Sequence, residues 1–244
     1  MKNDTNIAKE WHGHALKIKQ DANKIILGQE KAINLVIISL FARGHVLLEG
    51  GVGVGKTTLL QVITKLIGGT YERVEGTVDL MPNDIIYHAS ISSEGKPSIS
   101  KGPLLKKGED LSIFFFNEIN RARPQVHSLL LRVMAEKSVS AFNKVNYLPN
   151  MVVFADRNQV EKNETFELPA AARDRFMMEV SIQSPTDKVL RDSIIFDTKF
   201  QDTSKLIDNI PSASFDCKEL NEVSSEIQEN IQTSDHIKNY VEFL

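Results

Sequence analysis

The 244-residue sequence contains a single cysteine, Cys217, so an internal disulfide is excluded and a cytoplasmic location is favoured. It also lacks any apolar run approaching the roughly 18 residues that a membrane-spanning helix requires. The first residues, MKNDTNIAKEWHGH, contain no apolar segment of the secretory-signal type. We therefore expect no membrane segment and no secretory signal. Because Cys217 has no companion, we expect it to be a packing residue.

Arginine is absent after Arg191, and the net charge of the whole chain is only −3. Such a balance does not indicate a nucleic-acid-binding protein. From Asp192 onward there are eleven acids against four lysines, a net charge of −7, whereas the first 191 residues have a net charge of +4. This change indicates a boundary between two modules just after the stretch QSPTDKVLR.

Apolar strands alternate with amphipathic helices, which predicts a parallel, doubly wound sheet. The predicted strands are HVLLEG, YERVEG, LSIFFF, MVVFAD and FMMEVSI, and the helices include EKAINLVIISLFARG, LLQVITKLIG and PQVHSLLLRVMAEK. Residues 77–101 are expected to be an irregular insertion, and SVSAFNKVNYLP to be a hairpin. From Ser184, the predicted cap, the chain is expected to be helical, with Asp187 in the first turn. The last helical pattern has no stop signal, so we expect a truncated chain.

A phosphate-binding loop is predicted between the first strand and the helix that follows it. Gly50, Gly55, Lys56 and Thr57 match the pattern G-x-x-x-x-G-K-[ST]. Lys56 would reach the β- and γ-phosphates of a nucleotide, and the Thr57 hydroxyl would hold magnesium. The alternative is a glycine-rich turn with a lysine at the start of a helix. The predicted nucleotide-binding residues are Gly50, Gly51, Val52, Gly53, Val54, Gly55, Lys56, Thr57 and Thr58.

The stretch FFFNE ends the third strand with Asn117 and Glu118. In a P-loop protein this strand end holds a metal-side carboxylate and the base that activates water. Alone, the pair would be an ordinary strand-to-loop junction, but after a P-loop we interpret Glu118 as the general base. Asn117 is the exception, because it lacks the charge that a carboxylate would supply to magnesium.

Several motifs in order resemble the MoxR family of AAA+ ATPases over residues 26–182. They are HVLLEGGVGVGKTT, YERVEGTVDLMPNDI, GPLL, FFFNEINRARPQVHSLLLRVMAEKSVS and LPAAARDRF, with a weaker lid match at IQTSDHIKNYVEF. The resemblance implies a three-layer α/β/α P-loop core with an insertion near 78–101 and a hairpin at 137–148. It also implies three segments, namely an N-terminal segment (1–25), the nucleotide-binding domain (26–183) and a partial helical lid (184–244).

The resemblance also assigns roles to two further residues. Asn158 matches the residue that orients the attacking water, and Arg175 matches the arginine that reaches into a neighbouring subunit's site. Asn158 could instead cap a loop, and Arg175 could be a surface ion-pair partner. The family has aspartate at the position of Asn117, and its lid has a nucleotide-sensing arginine that this chain lacks. We hypothesise that Asp156 returns the missing charge to magnesium; the alternative is an ion pair with a neighbouring arginine.

The sequence therefore predicts a chaperone-like ATPase that uses ATP and Mg²⁺ and remodels a protein client, slowly because of Asn117. The resemblance implies a homo-oligomeric ring, a hexamer, with a von Willebrand factor A-domain protein as partner. Two alternatives stay open. One is an ATP-binding assembly module or switch with little or no hydrolysis, and the other is a nucleic-acid motor, which the acidic C-terminal part disfavours.

Overall fold

The computed structural model describes residues 4–91, 95–157, 166–211, 213 and 215–242. The helices in these residues are α1 (Asp4–Asn23), α2 (Glu30–Phe41), α3 (Lys56–Leu66), α4 (Pro82–Ile86), α5 (Pro103–Lys106), α6 (Pro124–Glu136), α7 (Ala170–Arg173), α8 (Lys188–Phe196), α9 (Thr203–Asp208), α10 (Leu220–Asn230) and α11 (Asp235–Glu242). The strands are β1 (His45–Glu49), β2 (Thr70–Glu75), β3 (Tyr87–Ile91), β4 (Pro97–Lys101), β5 (Leu111–Asn117), β6 (Ser138–Ala141), β7 (Lys144–Tyr147), β8 (Val152–Arg157) and β9 (Phe176–Ser181).

Five strands form one parallel sheet in the order β2-β5-β8-β1-β9. The three phenylalanines of β5 show why this strand is mostly apolar. Phe115 packs into the layer that contains α2 and α3, whereas Phe114 and Phe116 pack into the layer that contains α6, and all three are fully buried. A strand covered on both faces needs apolar side chains in both directions. The predicted α/β class and three-layer core are confirmed.

Helix α1 and part of the predicted lid pack on the same side of the sheet. Trp11 and Ala22 of α1 are buried in the core cluster that also contains Leu220 and Val223 of α10. Cys217 belongs to this cluster, and its Sγ lies 3.3 Å from the hydroxyl of Ser112, so the predicted packing role is confirmed. The division into segments 1–25, 26–183 and 184–244 stays a prediction.

The structure corrects two local predictions. Residues 77–101 are not irregular, because they contain α4 and the antiparallel pair β3–β4. The cap of α8 is Asp187 and not Ser184, since the Asp187 carboxylate accepts from the Leu190 N–H at 3.1 Å. The hairpin β6–β7 is confirmed. In the described part of the chain, no helix combines the length and apolar character needed to cross a bilayer.

The buried imidazole of His45 sits between two backbone groups. Its Nδ1 accepts from the Val153 N–H at 3.0 Å, and its Nε2 donates to the Met134 carbonyl at 3.3 Å. This arrangement fits the neutral ring. Burial lowers the pKa of His45 to about 4.

This burial predicts that the protein loses stability as the pH falls from about 6.5, the pKa of an unperturbed histidine, towards 4. In that window the unfolded chain binds a proton at His45 and the folded chain does not, so the free energy of unfolding rises with pH. Urea denaturation should give a loss of about 2 kcal/mol between pH 6.5 and 5 from this residue. Burial also lowers the pKa of His127, which acts in the same direction.

His45→Gln should therefore reduce the pH dependence, while the same change at the exposed His88 should leave it unaltered. An equal pH dependence in the unmutated protein and in His45→Gln would contradict the prediction.

Candidate functional site

The predicted phosphate loop connects the end of β1, at Glu49, to the start of α3, at Lys56. Gly53 and Gly55 have φ angles of 78° and 89°, which side chains rarely tolerate. They allow the loop to turn so that it leads directly into the N-terminus of α3. The free N–H groups and the dipole of such a helix end favour an anion.

The ammonium group of Lys56 is held at the loop by three acceptors. Its Nζ donates to the carbonyl oxygens of Gly50 at 2.7 Å and Gly51 at 3.2 Å, and it lies 2.7 Å from Asp156 Oδ2. Because an ammonium group has three N–H donors, a phosphate contact requires Lys56 to exchange one of these partners.

Asp156 lies at the end of β8 and is almost fully buried. Its Oδ2 pairs with Lys56, and its Oδ1 accepts from the backbone N–H of Glu118. Burial raises the pKa of the Asp156 carboxyl, whereas the hydrogen bonds from Lys56 and the Glu118 N–H lower it. Both donors bind the ionised form, so we treat Asp156 as charged. The alternative was an ion pair between Asp156 and a neighbouring arginine. Arg157 does not form it, because Arg157 pairs with Glu49 and Glu179.

Glu118 follows β5 in a left-handed conformation, with φ 52° and ψ 50°. For a residue with a side chain this costs about 1–2 kcal/mol, and such strain is typical of functional sites. The hydrogen bond to Asp156 holds its backbone. Its carboxylate lies 2.9 Å from Nη1 of Arg121 and is 19% exposed, so it can reach water at the pocket.

Asn117 directly precedes Glu118, and its side-chain amide contacts a carboxylate on the neighbouring strand. Its Nδ2 donates to Oε1 of Glu75, at the end of the neighbouring strand β2. Glu75 also pairs with Arg73 at 2.6 Å, and Arg73 donates to the hydroxyl of Thr57 at 3.3 Å. The sequence analysis missed Arg73 and Glu75, although both belong to the quoted stretch YERVEG.

A pocket of about 290 Å³ brings these groups together at the carboxyl edge of the sheet. Its lining residues are Val52, Gly53, Val54, Gly55, Lys56, Thr57, Thr58, Arg73, Asn117, Glu118 and Asp156. The Thr57 hydroxyl, the Asn117 amide and two carboxylates provide the oxygen ligands that Mg²⁺ prefers, and Lys56 and Arg73 provide positive charge for phosphate. The residues present therefore fit Mg²⁺ and a polyphosphate.

A second cavity, of about 370 Å³, adjoins the phosphate loop and shares Gly53, Val54, Gly55 and Thr58 with it. Apolar side chains from the segment after α1 and from residues 184–206 line much of it, among them Ile26, Leu27, Pro185, Ile195 and Phe200. A mainly apolar cavity of this size beside an anion site suits a flat base and its sugar. The sequence analysis missed it, since its walls come from segments far apart along the chain.

Two further site residues were predicted, Asn158 and Arg175. Asn158, like Gln159, falls outside the described residues. Arg175 is exposed and directly precedes β9, whose first residue pairs with His45 and whose last pairs with Glu49. Arg175 therefore lies at the opposite end of the sheet, roughly 20 Å from the phosphate loop of its own chain.

Comparisons with known proteins agree with this geometry. The family model described as "ATPase family associated with various cellular activities (AAA)" matches residues 45–178. Protein MoxR of Methylorubrum extorquens is 53% identical over 232 residues, which cover 95% of this chain and 68% of the relative. Chaperone MoxR1 of Mycobacterium tuberculosis is 34% identical over 177 residues, 71% of this chain and 45% of the relative. A solved Cytophaga hutchinsonii protein, provisionally named an ATPase, superimposes with a TM-score of 0.80 at 25% identity, covering 98% of this chain and 70% of that structure.

Proposed function

Because the chain belongs to the MoxR family of AAA+ ATPases, we propose that it binds Mg-ATP and hydrolyses it slowly to remodel a protein client. One observation carries the proposal. Lys56, Thr57, Glu118 and Asp156 come from three separate elements and line the same pocket. The pocket lies at the carboxyl edge of a parallel sheet, where open α/β proteins bind their ligands.

The proposed roles follow from the position of each group. Lys56 and the N–H groups of the loop bind phosphate oxygens, and the Thr57 hydroxyl holds Mg²⁺, which when bound neutralises charge on those oxygens. Glu118 accepts a proton from the attacking water. We propose that Asn158 positions this water and that Arg175 of a neighbouring subunit stabilises the charge that develops during transfer.

Asn117 makes the proposed reaction slow rather than absent. Losing a group that orients metal-bound water typically costs about 10–100-fold. A general base contributes about 10²–10⁴-fold, and an arginine supplied in trans about 10³–10⁵-fold. Since Glu118 and Arg175 are both present, the two larger contributions remain.

We further propose that Asp156 supplies negative charge on the metal side of the site. Its carboxylate is tied to Lys56 and to the backbone of Glu118, which places the charge between the phosphate loop and the end of β5. Asp156→Ala should weaken the apparent affinity for Mg²⁺, measured from turnover at increasing Mg²⁺ concentration, by about 10–100-fold. The surface variant Asp110→Ala is the control, and an unchanged Mg²⁺ dependence in Asp156→Ala would exclude the role.

The assembly and the partners are part of the proposal. We propose a homo-oligomeric ring, a hexamer, with ATP between subunits, located in the cytoplasm and acting with a von Willebrand factor A-domain protein on a client. The name of the Mycobacterium tuberculosis relative, Chaperone MoxR1, supports a chaperone-like role. Native mass spectrometry with and without Mg-ATP tests the ring directly, and monomers under both conditions would exclude it.

A second candidate function is an ATP-dependent switch that holds nucleotide without hydrolysing it. It is favoured by the uncharged Asn117 and by Arg121, which binds the Glu118 carboxylate at 2.9 Å. Phosphate release from Mg-ATP separates the two candidates, with Glu118→Gln as the blank. Turnover above the blank supports the ATPase, whereas turnover equal to the blank, together with ATP-dependent ring formation, supports the switch.

A further inference from the structure

The ends of β2 and β5 hold an amide–carboxylate pair, Glu75 and Asn117. The two residues are neighbours in the register of these parallel strands, and Asn117 Nδ2 donates to Glu75 Oε1. The backbone beyond them is also in contact, because the Gly76 N–H donates to the Asn117 carbonyl at 2.7 Å. A Cβ on Gly76 would lie 2.1 Å from the Glu118 carbonyl oxygen. The close approach of the two strand ends thus keeps Glu75 beside Asn117.

Glu75 is also connected to the hydroxyl predicted to bind magnesium. Its Oε2 lies 2.6 Å from Nη2 of Arg73, and Nη1 of Arg73 donates to Oγ1 of Thr57 at 3.3 Å. The guanidinium of Arg73 lies above the Phe115 ring, 5.7 Å from its centre, and a cation is attracted to the face of an aromatic ring at this distance. The carboxylate of Glu75 therefore contacts both sides of the metal-side cluster, Asn117 directly and Thr57 through one arginine.

We propose that Glu75 is a positioning residue for this site and carries the negative charge that Asn117 lacks. The negative charge lies at the end of β2, on Glu75, instead of at the end of the neighbouring strand β5. Because Glu75 takes the amide N–H of Asn117, the amide oxygen is the group left to accept a hydrogen bond from a metal-bound water. The inference rests on the proposed function, since it concerns the Mg²⁺ side of an ATP site.

An aspartate at position 117 would not repair the site by itself. It would place a second carboxylate within hydrogen-bonding distance of Glu75, and two carboxylates that close cannot both stay ionised without cost. One of them must take up a proton or turn away. Asn117 is compatible with Glu75, and the two side chains act as one unit.

The test is a cycle of four proteins, the unmutated chain, Asn117→Asp, Glu75→Gln and the double variant. Without nucleotide, Asn117→Asp should lower Tm by about 2–4 °C, and the double variant should return to within about 1 °C of the unmutated protein. Calorimetric titration of ATP at several Mg²⁺ concentrations gives the second readout. Glu75→Gln should weaken the apparent Mg²⁺ affinity about 10–100-fold, and Asn117→Asp should not improve it. The double variant should recover to within about threefold.

Glu72→Gln is the matched control, because Glu72 lies on the same strand but pairs with Lys106. Its Mg²⁺ dependence should equal that of the unmutated protein. Two results would overturn the inference, namely additive changes in Tm or a gain in Mg²⁺ affinity from Asn117→Asp alone. Failure of the unmutated protein to bind Mg-ATP would instead overturn the proposed function and the metal role of Glu75 with it, while the Tm cycle would still report whether the two side chains interact.

Discussion

Glu118→Gln is expected to lower ATP turnover by about 10²–10⁴-fold while leaving ATP affinity within about threefold of the unmutated protein. The change keeps the shape of the side chain and removes its ability to accept a proton. Glu118 directly follows β5, and its backbone is fixed by Asp156, so glutamine should occupy the same place. Phosphate release under saturating Mg-ATP measures the loss, and calorimetric titration of ATP measures the affinity.

Two further variants define what this loss means. Glu136→Gln, which changes an exposed glutamate paired with Arg132, should leave both quantities unaltered. Lys56→Ala should weaken ATP binding itself, because it removes the cation of the phosphate loop. Turnover of Glu118→Gln equal to that of the unmutated protein, well above background, would show that another group activates the water.

The strands of the sheet and their parallel direction could be predicted because apolar strands alternate with amphipathic helices along the chain, whereas their order in the sheet was not predicted. β5 is apolar at five of its first six positions, the exception being Ser112, and this composition is typical of a strand that is buried on both faces. The phosphate loop was equally local, since glycines, lysine and threonine at fixed spacing determine its conformation. Residues 45–178, which match the AAA family model, contain both features.

The insertion between β2 and β5 could not be predicted in the same way. Its strands β3 and β4 are exposed at nearly every position, so they show no alternation between a buried and a solvent face. Their strand conformation is stabilised by pairing with each other and by contacts with the second hairpin. In one such contact the ring centres of Tyr87 and Phe142 lie 5.1 Å apart. Such contacts join segments that are distant in the sequence.

The same reason explains what was missed at the candidate site. Lys56, Thr57 and Glu118 belong to short motifs and were predicted from them. Glu75 and Arg73 matter through their neighbours on β5 and α3, and that pairing is set by the register of the sheet. The apolar cavity beside the phosphate loop likewise requires residues 184–206 to lie against the segment after α1.

Arg175→Ala is expected to lower turnover by about 10³–10⁵-fold without weakening ATP binding more than about threefold. The reason is geometric. Arg175 lies at the end of the sheet opposite its own phosphate loop, roughly 20 Å away along β9, a distance that an arginine side chain cannot span. If it acts on a nucleotide, it must act on that of another subunit. Arg173→Ala, which changes an exposed arginine two residues earlier, is the matched control and should retain full turnover.

Mixing two inactive variants tests whether the arginine acts in trans. Arg175→Ala subunits keep an intact phosphate loop, and Lys56→Ala subunits keep an intact Arg175. A contact between the two can therefore combine the loop of the first with the arginine of the second. A random equal mixture should recover up to about one quarter of the unmutated turnover, because one quarter of the subunit contacts then combine a complete loop with a complete arginine. Mixed rings without any recovery would contradict the role of Arg175 in trans and would show that its loss acts through the structure of its own subunit.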